Sequence, residues 1–270
     1  MPSDDSHSAG PSLLAGVDDI IDEALGLTNI GERPFHKHKT SCRNLTKAPV
    51  KEFDASALIE EIYEKIGNNW GNSTYHKMSE ENWRFEKKRG ISNENDSPEV
   101  GLERAIINIP QELWPDAADW VNQVPTASGL VDPNADGSRR IDLVHKCGDK
   151  EYEFIELKVG SDTPLYAAME ILKYGVLYIF AREHEEASKY VKKERDLLKA
   201  MSIHLRVLAP ASYYAECNLA WLEVCIDRGL ANFLANRELS FLMDFKFETL
   251  ALTLTRSSPW VPGGPKRTSP

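Results

Sequence analysis

The sequence predicts an α/β fold, a mixed β-sheet flanked by helices whose core runs in the order α-β-β-β-α-β. Three features of the chain point to it. A helix start at Ser97-Pro98-Glu99 is followed by strand-like segments at 119–126, 139–146 and 151–159. A second helix start, Thr163-Pro164, opens a long apolar run to about residue 186. A further strand-like segment lies at 203–208, then an amphipathic helix at 213–234 and an apolar strand at 241–254.

Each element has a local reason. Ser97 offers a side-chain oxygen to the free N–H groups of a first helical turn, Pro98 needs no N–H there, and Glu99 suits the positive end of the helix dipole. The helix continues through GLERAIINI. The turn residues DPNADGS precede the second strand, and Gly148-Asp149 joins the second and third as a hairpin. Thr163 and Pro164 repeat the cap-and-proline arrangement. The stretch 188–200 mixes Lys189, Lys192, Lys193 and Lys199 with Glu194 and Asp196, the pattern of a solvated helix.

The ends differ from the middle. Residues 1–45 are rich in Ser, Asp, Gly and Pro and read as weakly structured, with one apolar stretch at 12–27 that suits an isolated helix. His36 and His38 in that region read as solvated. Residues 46–96 form a helical accessory segment, with a helix expected at 56–66. Residues 97–255 carry the core, and 256–270, rich in Pro, Gly and Ser, read as a flexible tail.

Composition bounds the function. The chain has 270 residues, 41% hydrophobic and 27% charged, an ordinary globular balance. It has no apolar run of membrane-spanning length, and MPSDDSHSAG lacks a basic segment followed by an apolar one. Its four widely spaced cysteines fit reduced thiols, so a cytoplasmic protein without a membrane partner is expected. A net charge of −10 argues against coating nucleic acid by bulk electrostatics, but leaves room for an enzyme with a local basic patch.

Alternation in the third strand decides which side chains meet. Tyr152, Phe154, Glu156 and Lys158 share one face, and Ile155, Leu157 and Val159 share the other and must pack on a helix. On the second strand Asp142 lies between the apolar Ile141 and Leu143. An in-register hairpin brings Asp142 to Glu156, so two carboxylates converge with one ammonium. Such a set attracts a hard divalent cation, Mg²⁺ or Mn²⁺, with the Leu157 carbonyl as a further oxygen donor. Charge on the ion would polarise a phosphate and acidify a bound water, with Lys158 orienting the water and stabilising the charge that develops. Glu-x-Lys also occurs on solvated sheet faces, where the two charges simply pair.

RRIDLV, a hairpin and FIELKVG together resemble the PD-(D/E)XK (restriction-endonuclease-like) nuclease superfamily, in which an Asp on the second core strand precedes Glu-x-Lys on the third. Asp142, Glu156 and Lys158 match those places, with Ile141 standing where the named pattern has Pro. The resemblance covers about residues 97–210. It implies a metal-dependent nuclease acting on nucleic acid, DNA above all, and a homodimer where both strands are cut. It also implies a Glu on the first core helix that completes the metal site: Glu103, with Glu99 one turn earlier as its competitor. Some members carry Gln-x-x-x-Tyr on the following helix, where this chain has Glu170 and Tyr174.

RFEKKRG places Arg84, Lys87, Lys88 and Arg89 just ahead of that first core helix, an expected grip on substrate phosphates. The rival readings are a PD-(D/E)XK-fold protein that binds nucleic acid or protein without catalysis, and a glycosidase. Lys158 beside Glu156 opposes the glycosidase, because a cation lowers the pKa that a general acid needs raised. No base-reading motif distinguishes DNA from RNA or specific from non-specific cutting.

Overall fold

The computed structural model describes residues 12–28, 33–50, 53–73, 81–87, 97–109, 111–112, 115–126, 139–185, 195–250 and 267–268. The helices are α1 (Val17–Ala24), α2 (Lys39–Leu45), α3 (Ala55–Gly71), α4 (Pro98–Ile107), α5 (Pro164–Glu183) and α6 (Ala220–Asn236). The strands are β1 (Trp120–Pro125), β2 (Arg140–Gly148), β3 (Glu151–Leu157), β4 (Ser202–Pro210), β5 (Leu242–Leu250) and the two-residue β6 (Arg267–Thr268).

The strands form one mixed sheet in the order β1-β2-β3-β4-β5-β6. β1, β2 and β3 are an antiparallel meander. β3, β4 and β5 are parallel, with α5 and α6 as their crossovers, and β6 returns antiparallel to β5. This is an α/β architecture with helices on both faces, and the α4-β1-β2-β3-α5-β4 order is the one the sequence predicts.

The predicted caps explain where the two site-bearing helices start. Ser97 Oγ accepts from the Val100 N–H at 3.3 Å, and Thr163 Oγ1 accepts from the Tyr166 N–H at 3.1 Å. The β2–β3 turn places Lys150 at φ 56°. Two apolar clusters follow from strand alternation. Tyr152 and Phe154 of β3 join the large core with α5, α6, α3 and α1, while Ile155 and Leu157 meet Leu102 and Ile106 of α4 on the opposite face. α5 is buried continuously from Ile171 to Ala181, because the sheet covers one side and helices the other. Gly175 allows that depth: a Cβ there would stand 2.6 Å from Leu205 Cδ1 on β4.

The amino-terminal region departs from expectation. Leu13, Val17, Ile21, Leu25, Phe35 and Cys42 are buried in the large core, so residues 12–28 and 33–50 belong to the folded unit. The physical reason is a charge lock that composition conceals. Asp22, 2% exposed, accepts from the Phe35 N–H at 2.8 Å, from the His36 N–H at 2.8 Å, and pairs with His36 Nδ1 at 2.7 Å. His36 is therefore buried rather than solvated, stacked on Tyr166 of α5 at 5.5 Å.

Other boundaries shift for local reasons. The helix predicted at 213–234 starts only at Ala220, because the Tyr214 hydroxyl donates to the Val207 and Glu248 carbonyls and pins that residue to the strand ends. Of the predicted helix at 188–200, Asp196–Lys199 is a 3₁₀ turn, and 186–194 lie outside the described residues. Of the predicted tail, Arg267–Thr268 pair with β5 and the rest lies outside the described residues. Among the described residues, no helix is long and apolar enough to cross a membrane.

Candidate active site

The carboxyl end of β3 gathers the residues singled out in the sequence. Register pairs Leu143 with Ile155, which sets Asp142 beside Glu156 on the adjoining strand. The Leu157 N–H donates to Asp142 Oδ2 at 2.9 Å. Lys158 Nζ lies 2.8 Å from Glu156 Oε1 and 3.3 Å from Glu170 Oε2. Glu170 projects from the first half of α5, seven residues after the Thr163 cap. Alternation on β3 and the phase of α5 thus bring Asp142, Glu156 and Glu170 around one ammonium.

Burial sets the electrostatics. Glu156 is 4% exposed and Lys158 7%. Burial raises Asp142 to about 7, opposed by the Leu157 N–H and Lys158 and aided by Glu170 and Glu103. Burial, then Asp142 and Glu170, push Glu156 well above the usual carboxylate range. Burial acts on Glu170 in the same sense, but Lys158 and Lys173 outweigh it and hold Glu170 below that range. Glu156 and Glu170 lie within hydrogen-bonding reach of each other. Burial works against the Lys158 ammonium, yet Glu156 and Glu170 hold its pKa above the usual lysine value.

Glu103 and Glu99 divide the roles that sequence left open. Glu103, 3% exposed, acts on Asp142, and its two oxygens accept from Asn122 Nδ2 at 2.7 Å and Gln123 Nε2 at 2.8 Å. Gln123 sits at φ 51°, where β1 skips one pairing opposite Asp142, a left-handed residue in a strand beside the site. Glu99 Oε1 instead accepts from the N–H groups of Val159, Gly160 and Ser161 at 3.2, 3.4 and 3.3 Å. It fixes the loop between β3 and α5. Burial would raise its pKa, but Ser161 and these N–H groups bring it down to about 2.

Tyr174 is buried one turn beyond Glu170, and burial with Glu170 and Glu156 raises its pKa. The basic stretch behaves differently from expectation. Arg84 is ion-paired with Glu81 at 2.8 Å and with Glu86, while Lys87 Nζ donates to the Ala117 carbonyl at 2.7 Å. Trp83 and Phe85 pack on Phe154 and Tyr152, which draws the segment onto the core. Lys88 and Arg89 lie outside the described residues.

Sequence reasoning missed the residues that the amino-terminal region adds. Lys37 Nζ, Lys158 Nζ and Lys173 Nζ lie 5.2, 5.7 and 5.9 Å from the Tyr166 ring centre. Asp162 Oδ2 is 3.9 Å from Lys158 Nζ. Beyond it opens a cleft of about 640 Å³, walled by Lys39, Cys42, Val159, Asp162, Thr163 and Tyr213. The basic run HKHK at 36–39 was the available signal, but nothing local ties it to α5.

Asp142 and Glu156 form a donor set of the type that a hard divalent cation takes, though among the described residues the three His, Cys, Asp or Glu ligand atoms within 4.8 Å of one another belong to Cys147, Glu151 and His204. The donor atoms of Asp142 and Glu156 are carboxylate oxygens, and burial disfavours their negative charge unless a cation compensates. No protein-family model, curated protein or solved structure matches the chain significantly.

Proposed function

We propose that the chain is a metal-dependent nuclease that hydrolyses phosphodiesters, with DNA as its substrate, on a restriction-endonuclease-like version of the α/β fold. The observation that carries this reading is the convergence of Asp142 and Glu156 beside Lys158 at the end of β3. The matching element order, with the Asp on the second core strand and Glu-x-Lys closing the third, supports the finer fold assignment.

Asp142, Glu156 and the Leu157 carbonyl would hold Mg²⁺ or Mn²⁺, which supplies positive charge to a phosphate oxygen and acidity to a bound water. Lys158 orients the attacking water and stabilises charge growing on the phosphate oxygens. Glu170 is a positioning residue that aims the Lys158 ammonium. Glu103, with both oxygens occupied by amides, suits an outer role behind Asp142. Lys37 and Lys39, beside Tyr166 and the cleft, take the phosphate-gripping part that the sequence assigned to residues 84–89.

A second reading has its own observation. Glu156, Glu170 and Lys158 are mutually paired and nearly closed to solvent, as they would be in a binding protein that kept this fold without catalysis. The deciding experiment incubates plasmid, single-stranded DNA and RNA with Mg²⁺ or Mn²⁺, comparing the wild type with Asp142→Ala and Lys158→Ala. Cleavage abolished in both variants supports the nuclease. No cleavage of any substrate by the folded wild type favours the binding protein.

A further inference from the structure

A chemically different set of donors lies at the opposite end of β3 from the carboxylate cluster. β3 begins at Glu151 and carries Glu156 near its other end. Cys147 falls where the β2–β3 pairing shifts between Lys146 and Gly148, a bulge that re-aims one side chain. His204 lies on β4, paired in register with Glu153. One ligand atom from each of Cys147, Glu151 and His204 lies within 4.8 Å of the other two. Cys147 and Glu151 are exposed and the His204 side chain is 23% exposed, so solvent ions reach all three.

A separate observation concerns how His204 is held. Its Nδ1 is 2.7 Å from Oδ2 of Asp244, its register partner on β5. Asp244 is also ion-paired with Arg206. With Nδ1 engaged at Asp244, Nε2 is the ring nitrogen left to meet a cation. A carboxylate behind an imidazole is the usual support of a metal-bound histidine.

We propose that Cys147, Glu151 and His204 form a Zn²⁺ site that clips the β2–β3 hairpin to β4, with Asp244 as the positioning residue for His204. Sulfur, imidazole nitrogen and one carboxylate make a borderline-soft set that selects Zn²⁺ over Mg²⁺. Three protein donors leave the fourth tetrahedral position to water. The site shares no residue with the carboxylate cluster, so it stands whether or not the chain cleaves nucleic acid.

The test uses the full chain stripped of metal, titrated with Zn²⁺ by calorimetry and with Co²⁺ by absorption. An Asp142→Ala/Glu156→Ala background keeps ions at the carboxylate cluster out of the stoichiometry. The expected result is one Zn²⁺ per chain and a thiolate-to-cobalt charge-transfer band. Cys147→Ser removes that band and weakens Zn²⁺ binding by about 100-fold or more, and Asp244→Asn weakens it by about 10-fold. Cys42→Ser and Cys217→Ser leave the band in place, and Zn²⁺ raises the Tm of the wild type but not of Cys147→Ser. The proposal is overturned if the wild type gives no thiolate band, or if Cys147→Ser and His204→Gln bind Zn²⁺ as tightly as it does.

Discussion

The Leu157 N–H donates to Asp142 Oδ2 at 2.9 Å, so the β3 backbone aims a β2 carboxylate toward the residue that precedes Leu157. Asparagine at this position keeps an oxygen to accept that bond and removes a charge opposed by Glu156, Glu170 and Glu103. Asp142→Asn is therefore expected to gain about 1–2 kcal/mol of stability in EDTA, while any cleavage is lost. Urea denaturation measures the first effect. A loss of the same size would mean that the ionised carboxylate holds the fold together.

Divalent ions should protect the folded state through the same residues. At a free Mg²⁺ concentration one hundred times Kd, binding adds about 2.7 kcal/mol. Calorimetric melts should show a rise in Tm with Mg²⁺ for the wild type and none for Asp142→Asn or Glu156→Gln. Equal rises in all three proteins would place the ion elsewhere.

Lys158 is the cation paired with Glu156 and Glu170, which are otherwise buried together. Lys158→Met should cost about 3–5 kcal/mol, because the remaining charges keep their burial and lose their partner. Adding Glu156→Gln to Lys158→Met should recover part of that loss. A double-mutant cycle in urea reads the coupling, and simple additivity would show that the pair is not a unit.

Glu99 predicts a pH dependence. Its pKa in the folded chain, about 2, lies below the ordinary value of 4.5. A depressed carboxyl contributes stability that is fully present above about 4.5 and disappears as the pH falls through about 2. Glu99→Gln should thus be less stable than the wild type at pH 7, by about 1–2 kcal/mol, and should converge on it in acid. Parallel stability curves from pH 7 to pH 2 would contradict this account of the loop.

Asp22 should matter far from the sheet. Asp22→Ala leaves the Phe35 and His36 N–H groups and the His36 ring without their acceptor, a loss of about 3 kcal/mol or more. Limited proteolysis should then cut within residues 12–50 before the rest of the chain, as Lys37 leaves Tyr166. Cuts elsewhere first would show that the lock is not what holds this region.

What could be read from the sequence depended on the range of the interaction. Ser97-Pro98 and Thr163-Pro164 act within one helical turn, and both helices start where these residues say. Asp142, Glu156 and Lys158 lie within one hairpin and the residue after it, so alternation sufficed to bring them together. Glu103 and Glu99 share a helical face, and only the folded positions of Asn122, Gln123 and the 159–161 loop separate their roles. Asp22 with His36, and Asp18 with Lys173, join residues whose composition suggests solvent and whose partners lie 14 and 155 positions away. Arg84 misled for the opposite reason, since its neighbours Glu81 and Glu86 already answer its charge.

The ion pair between Asp18 and Lys173, at 2.6 Å, also bears on timing. During synthesis α1 emerges before α5, and its seat there does not exist until 155 further residues have followed Asp18. Contacts this distant in sequence close slowly, because the intervening chain must first surrender its freedom. The pairing of α1 with α5 thus waits on the synthesis of the whole chain between them.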